Sequence, residues 1–213
     1  MQKFYGLDVP SDLAESCKPE RTALVVYDMQ AGVLSQIPGA DAIVNNVATL
    51  LSAARRRGFR IFFTRHTWLP PETMGVAQLR RAAIWRLLTS DGKFCAPFES
   101  GSPEWQIVSQ VAPQPSEAII DKITMSAFCG TYLDLALRDA RIDSFVIAGV
   151  ALEVGIDPTV RHACDLNYIP IVALDACGFR DAAARQRAID GFDFSGEPIV
   201  SDTATLQRLM LAS

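Results

Sequence analysis

Two ionisable residues stand where an alternating α/β chain concentrates its chemistry. Asp28 directly follows the apolar run Thr22–Tyr27 (TALVVY), and Lys122 follows the short run Ala118–Ile120. A carboxylate at the end of a buried strand has to be paired or protonated, because desolvating a lone charge is costly. Such a carboxylate in a crevice can move a proton to or from a substrate. Each residue also has a plainer reading: a single Asp after a strand is more often a cap or loop residue, and most lysines are solvated surface groups. A third segment shifts the balance. Gly149–Arg161 (GVALEVGIDPTVR) runs from an apolar strand through a turn at Gly155 into a helix. Asp157 and Pro158 suit its N-cap and first helical position. Free amides at a helix entrance bind an anion or a developing oxyanion. The turn is therefore expected to face the crevice that holds Asp28.

Other reactive side chains are few. His66 and Arg65 end the second apolar run, and either could face a ligand there; His162 reads as a packing or hydrogen-bonding residue. The five cysteines (17, 95, 129, 164 and 177) show no CxxC or CxxH spacing. That pattern argues against structural zinc and against a disulfide framework, and fits a reducing cytosol. Cys164 lies too far along its helix to act at Gly155, roughly 13 Å at 1.5 Å per residue. Cys129, just after Ser126-Ala127-Phe128, is the one cysteine near enough to consider as a nucleophile, although a buried inert thiol is the commoner state. Asp121 and Asp175 read as structural. These residues indicate no open metal site, and neither a metal nor a cofactor is expected.

The elements that must position these residues repeat from end to end. Strands are expected at Thr22–Tyr27, Arg60–Thr64, Ala118–Ile120, Phe145–Ala148, Ile169–Leu174 and Pro198–Val200. Helices are expected at Asp41–Arg57, closed by Gly58, and at Tyr132–Asp139, Pro158–Leu166, Ala182–Gly191 and Ala204–Leu211. Apolar strands alternating with amphipathic helices signal parallel βαβ units. Strands without apolar–polar alternation imply a sheet covered on both faces, whose ligands gather beyond the carboxyl ends of the strands. Asp28, Arg65, His66, Lys122, the Gly149–Gly155 turn and Asp175 all fall at those ends. The segment Trp68–Gln114 interrupts the alternation and is expected to be a partly helical excursion that shapes or covers the site.

Composition sets the outer bounds. With 213 residues, 49% of them hydrophobic and 21% charged, the chain suits a single globular domain spanning 1–213. A net charge of −4 leaves nucleic acid without electrostatic support as a partner. Arg55-Arg56-Arg57 closes an amphipathic helix and needs only its C-terminal dipole as explanation. The N-terminus lacks the pattern of a signal peptide, and no window reaches the roughly 18 apolar residues of a membrane span. A soluble cytoplasmic protein is expected.

Three segments together carry a resemblance. LVVYDMQ around Asp28, IIDKITMSAF around Lys122 and VIAGVALEVGIDPTVRHA around Gly155 resemble, in order and at similar distances, the signature segments of the isochorismatase-like (cysteine hydrolase) superfamily. With IPIVALDACG the similarity runs from Glu20 to Leu211. It implies a three-layer α/β/α hydrolase with a central, mostly parallel sheet and a homo-oligomeric state, dimer or tetramer. Most members use an Asp, a Lys and a Cys, the Cys attacking a carbonyl while the Asp takes its proton. Asp28 and Lys122 match the first two positions, and the third falls on Gly155, which has no side chain. A cysteine-free branch, the true isochorismatases, cleaves a vinyl ether and carries glycine there. The chain is similar to that branch at Gly155 but departs from it at Gly149-Val150-Ala151, where the branch has Gly-Val-Tyr, and in the substrate loop.

The implied catalytic set is Asp28, Lys122 and Gly155, with substrate contacts from Arg65, His66, Phe128, Val150, Ala151 and Val154 and a non-proline cis peptide at Val150-Ala151. The expected activity is hydrolysis of a small, polar, carboxylate-bearing molecule by Asp28 acid/base chemistry without a cysteine, enol-ether cleavage being favoured. The alternatives are an amidohydrolase using Cys129 or an activated water, and a non-catalytic binding protein. A thiol introduced at position 155 would meet a helix N-terminus and Lys122, and is expected to alkylate readily.

Overall fold

The structure is a computed structural model that describes residues 1–212. It opens with an exposed antiparallel pair, β1 (Gln2–Phe4) and β2 (Leu7–Val9), and a single helical turn, α1 (Leu13–Ser16). The repeating pattern then begins with β3 (Thr22–Tyr27), α2 (Ala31–Leu34), α3 (Ala40–Arg57) and β4 (Arg60–His66). After α4 (Val76–Ile84) come β5 (Ala118–Lys122), α5 (Leu133–Asp139), β6 (Ser144–Val150) and α6 (Asp157–Asp165). The chain ends with β7 (Ile169–Gly178), α7 (Ala182–Ser195), β8 (Ile199–Ser201) and α8 (Thr203–Ala212).

Six strands form one sheet in the order β5-β4-β3-β6-β7-β8, and every pairing is parallel. Alternate residues of β3 show why both faces are covered. Leu24 and Val26 pack against Val47, Leu50 and Leu51 of α3 and Leu206 and Met210 of α8. Ala23, Val25 and Tyr27 pack against Leu133 and Leu137 of α5, Val160 and Ala163 of α6 and Phe192 of α7. A strand buried on both faces has no polar side to display, which accounts for the unbroken apolar run TALVVY. α3 stops where Gly58 takes a left-handed conformation (φ 73°) and its amide closes the last turn. Arg55 has a firmer anchor than the helix dipole: it holds Glu117 through bonds of 2.7 and 2.8 Å and the Ala112 carbonyl at 2.8 Å.

The connections leave β3 in one direction toward β4 and β5, then restart beside β3 with β6 and run the other way. The carboxyl ends of β3 and β6 therefore flank the switch point at which open α/β sheets form their crevice. The strands run further than their apolar cores suggest, so that His66 and Lys122 are the last residues of β4 and β5 and stand opposite each other in register. The excursion between these strands holds α4 and short 3₁₀ turns at Pro71–Thr73, Pro103–Trp105 and Ser109–Val111. Among the described residues no helix is long and apolar enough to cross a membrane.

Candidate active site

Asp28 leaves β3 in the left-handed region (φ 48°), a conformation that costs a non-glycine residue about 1–2 kcal/mol and that concentrates at functional sites. Its amide donates to the Thr64 carbonyl at 3.2 Å. One carboxylate oxygen accepts the Thr64 hydroxyl at 2.6 Å, and the other accepts Lys122 Nζ at 2.7 Å. The two side chains are only 7% and 1% exposed, so the ion pair lies out of water. Nζ also donates to the Thr124 carbonyl at 3.3 Å and stands 4.2 Å from the centre of the Tyr27 ring. Burial pulls the Lys122 ammonium below the usual lysine range, while the charge and hydrogen bond of Asp28 oppose that pull. Charge-assisted bonds of this length are the strong kind, and they fix the carboxylate in place.

Asp28 opens on a cavity of about 310 Å³, with Lys122 behind it. Its inner wall is Tyr27, Asp28, His66, Met125, Val150, Ala151, Val154 and Gly155; the excursion adds Trp68, Trp85, Leu87 and Phe98. Arg86 and Arg180, both exposed, also line it and give it two cations.

The turn after β6 differs from its expected form. The Val150-Ala151 peptide is cis. Leu152–Ile156 is already helical, in the wide π form, and leads without interruption into α6. The amides of Val154, Gly155 and Ile156 all converge on the Ala151 carbonyl at 3.3, 3.0 and 3.2 Å. The helix entrance therefore sits at Leu152 rather than at Asp157, and the amides of Leu152 and Glu153 are the ones with no intrahelical acceptor. Asp157 is no N-cap; its carboxylate takes the Arg161 Nε at 2.8 Å one turn on. Pro158 supplies the physical reason. It has no N–H to donate and its ring crowds the preceding turn, and a widened turn absorbs both defects.

Of the residues expected at the site, Asp28, His66, Val150, Ala151, Val154 and Gly155 line the cavity, and Lys122 stands behind Asp28. Arg65 and Phe128 are not brought there. The alternation along β4 turns Arg65 away from His66, onto Asp121 (2.7 and 3.0 Å) and the Trp105 ring (3.7 Å). Phe128 is core, stacked on Tyr168 at 5.6 Å. None of the five cysteines lines the cavity; Cys129 is exposed, and burial pushes Cys177 up to about 12. His162 meets the Ser126 hydroxyl at 2.9 Å, and Asp175 caps α8 by accepting the Thr203 amide at 2.7 Å.

Two further residues hold the site. Thr64 is a fully buried hydroxyl in an otherwise apolar stretch of β4, a polar exception that could have marked it. Gln30, equally buried, brackets the backbone of His66 by accepting its amide at 2.7 Å and donating to its carbonyl at 3.0 Å. It also donates to the Trp105 carbonyl at 2.9 Å. Its signal was its place two residues after Asp28.

Residues 22–204 match the model of the isochorismatase domain family. The chain is 29% identical over 179 residues to YecD, an isochorismatase family protein of Escherichia coli O157:H7, covering 79% of this chain and 86% of that one. It is 30% identical over 176 residues to the ureidoacrylate amidohydrolase RutB of Pantoea ananatis, covering 74% and 69%. Its fold superposes on a cysteine hydrolase from Pseudomonas syringae pv. phaseolicola with a TM-score of 0.80, at 23% identity and over 92% and 94% of the two chains. With a three-layer parallel fold, an Asp–Lys pair at its switch point and a family match over most of its length, this chain belongs to the isochorismatase family of hydrolases.

Proposed function

We propose that the protein hydrolyses a small carboxylate-bearing molecule at an amide- or ureide-type C–N bond, with water as nucleophile and Asp28 as general base. One observation carries the reading: the buried Asp28 carboxylate, backed by Lys122, opens on a cavity that no cysteine lines. Asp28 accepts hydrogen bonds on both oxygens, one of them from an ammonium, which suits a proton acceptor better than the proton donor that enol-ether cleavage requires. A water held against Asp28 would give up its proton to the carboxylate as its oxygen attacks the carbonyl carbon. That proton then passes to the leaving nitrogen as the C–N bond breaks. The Lys122 ammonium, held behind Asp28 at 2.7 Å, supplies a nearby positive charge that favours a developing oxyanion. Arg86 and Arg180 favour an anionic substrate, and the activity of the RutB relative favours a ureide.

Enol-ether cleavage stays as the second reading, because Gly155 matches the cysteine-free branch of the family. One screen addresses both: amides, ureides and enol ethers of small carboxylic acids, assayed with wild type beside Asp28→Asn. Turnover of an amide or ureide that falls roughly 10²–10⁴-fold in the variant is expected. Turnover confined to enol ethers would favour the second reading, and Asp28→Asn activity within about threefold of wild type would move the reaction away from Asp28.

A further inference from the structure

Position 155 is glycine for a reason that lies on another strand. Its backbone is in the right-handed π turn, a conformation open to any residue, so chain geometry does not call for glycine. Space does. A Cβ built on Gly155 would lie 2.2 Å from the Tyr27 hydroxyl oxygen and 2.6 Å from both Cε1 and Cζ of that ring. Contacts so short require one side to move, and Tyr27 has little freedom to do so. It is 1% exposed within the sheet–helix core, its hydroxyl donates to the Met125 carbonyl, and the Lys122 ammonium sits over its ring.

The phenol does not replace the missing nucleophile. Its proton is committed to Met125, and burial, then the Asp28 carboxylate beside it, push its ionisation well above the usual tyrosine range. What it supplies is bulk in one particular place, together with a ring face for the lysine.

We propose that Tyr27 sets the reaction type of this site: its phenol fills the space a nucleophilic side chain at 155 would need, leaving the carboxylate–ammonium pair to act on water. Positions 27 and 155 form one unit, large beside none. On this reading a thiol introduced at 155 alone meets the Tyr27 ring instead of alkylating readily. The inference deepens the water-as-nucleophile reading and rests on it for its meaning, yet it can be tested without any turnover.

The test compares Gly155→Cys with the double variant Tyr27→Leu/Gly155→Cys. Leucine keeps the inner bulk of the ring and removes the Cε, Cζ and hydroxyl atoms that collide. Each folded protein is treated with iodoacetamide, and labelling at position 155 is followed by peptide mass mapping, which separates it from the exposed Cys95 and Cys129. The introduced thiol is expected to react at least about tenfold faster in the double variant, where it has room near a helix entrance and Lys122. Equal rates in the two proteins would overturn the proposal.

Should either variant fail to fold, Gly155→Ala in the otherwise wild-type chain asks the same question with one carbon. Overpacking against Tyr27 is expected to lower Tm by about 5 °C. An unchanged Tm would show that Tyr27 yields, and the proposal would be wrong. Neither result depends on the substrate screen, so a screen that finds nothing leaves this test standing.

Discussion

His66 shows what a single residue can demand of its surroundings. Among the described residues neither of its buried ring nitrogens has a hydrogen-bond partner, and the rings of Trp68 and Phe98 stand edge-on at 5.0 and 6.2 Å. Burial, then the charges of Lys122 and Arg81, lower its pKa to about 3. An unfolded histidine titrates near 6.5. Between those two values the unfolded chain binds a proton that the native protein refuses. Stability is therefore fully present above about pH 6.5 and is lost as pH falls through the window toward 3. Wild type should lose about 5 °C more of its Tm than His66→Gln between pH 7 and pH 5. Equal losses would mean that the ring protonates freely in the folded state. The sequence places the Trp68–Gln114 excursion over the site, but that its Trp68 and Phe98 rings wall in His66 is a matter of packing that no local pattern records. Asp28 was legible, since a charge at the end of an all-apolar strand is conspicuous. Arg65 was ambiguous for a physical reason: adjacent strand residues face opposite ways, and composition does not say which way.

Among the elements, the strands and helices followed their patterns, and two strands outrun theirs where a polar residue ends an apolar run before the hydrogen-bond ladder ends. β7 continues through Asp175 to Gly178, and β4 continues through Arg65 to His66. The pair β1–β2 left no trace because strands of three exposed residues bury nothing that a hydrophobic pattern could report. The π turn at Leu152–Ile156 was missed because Asp-Pro is an equally good helix start, and only the packed structure shows the helix already under way. Gln30 is where elements are tied together: its one side chain joins the end of β4 to the Pro103–Trp105 turn. Gln30→Ala strands the buried amide and carbonyl of His66 and a half-buried carbonyl of Trp105, which at about 1 kcal/mol or more for each buried group should lower Tm by roughly 5–10 °C. KM should rise with it as the aromatic wall loosens. A Tm within about 2 °C of wild type would mean that water or a neighbour replaces the amide without loss.

For the whole molecule, the parallel sheet decides where chemistry can occur. Strand order reverses between β3 and β6, which brings the carboxylate of one motif against the turn of another some 120 residues later. The three-layer class and the crevice at the strand ends were legible, because alternation of apolar runs and amphipathic helices leaves few topologies. The filling of that crevice was not legible. That Tyr27 takes up the space beside Gly155 depends on the register of β3 against β6, Tyr27 standing opposite Gly149, and register is a property of the assembled sheet. The proposed hydrolysis centres on Asp28 without a thiol. Its most direct test is the turnover of wild-type protein before and after saturating iodoacetamide, on the best substrate of the screen, with labelling of each cysteine mapped. Turnover within about twofold of the untreated enzyme is expected even with Cys95 and Cys129 fully modified, because neither reaches the cavity. Loss of turnover in proportion to Cys129 labelling, with substrate protecting both, would contradict it.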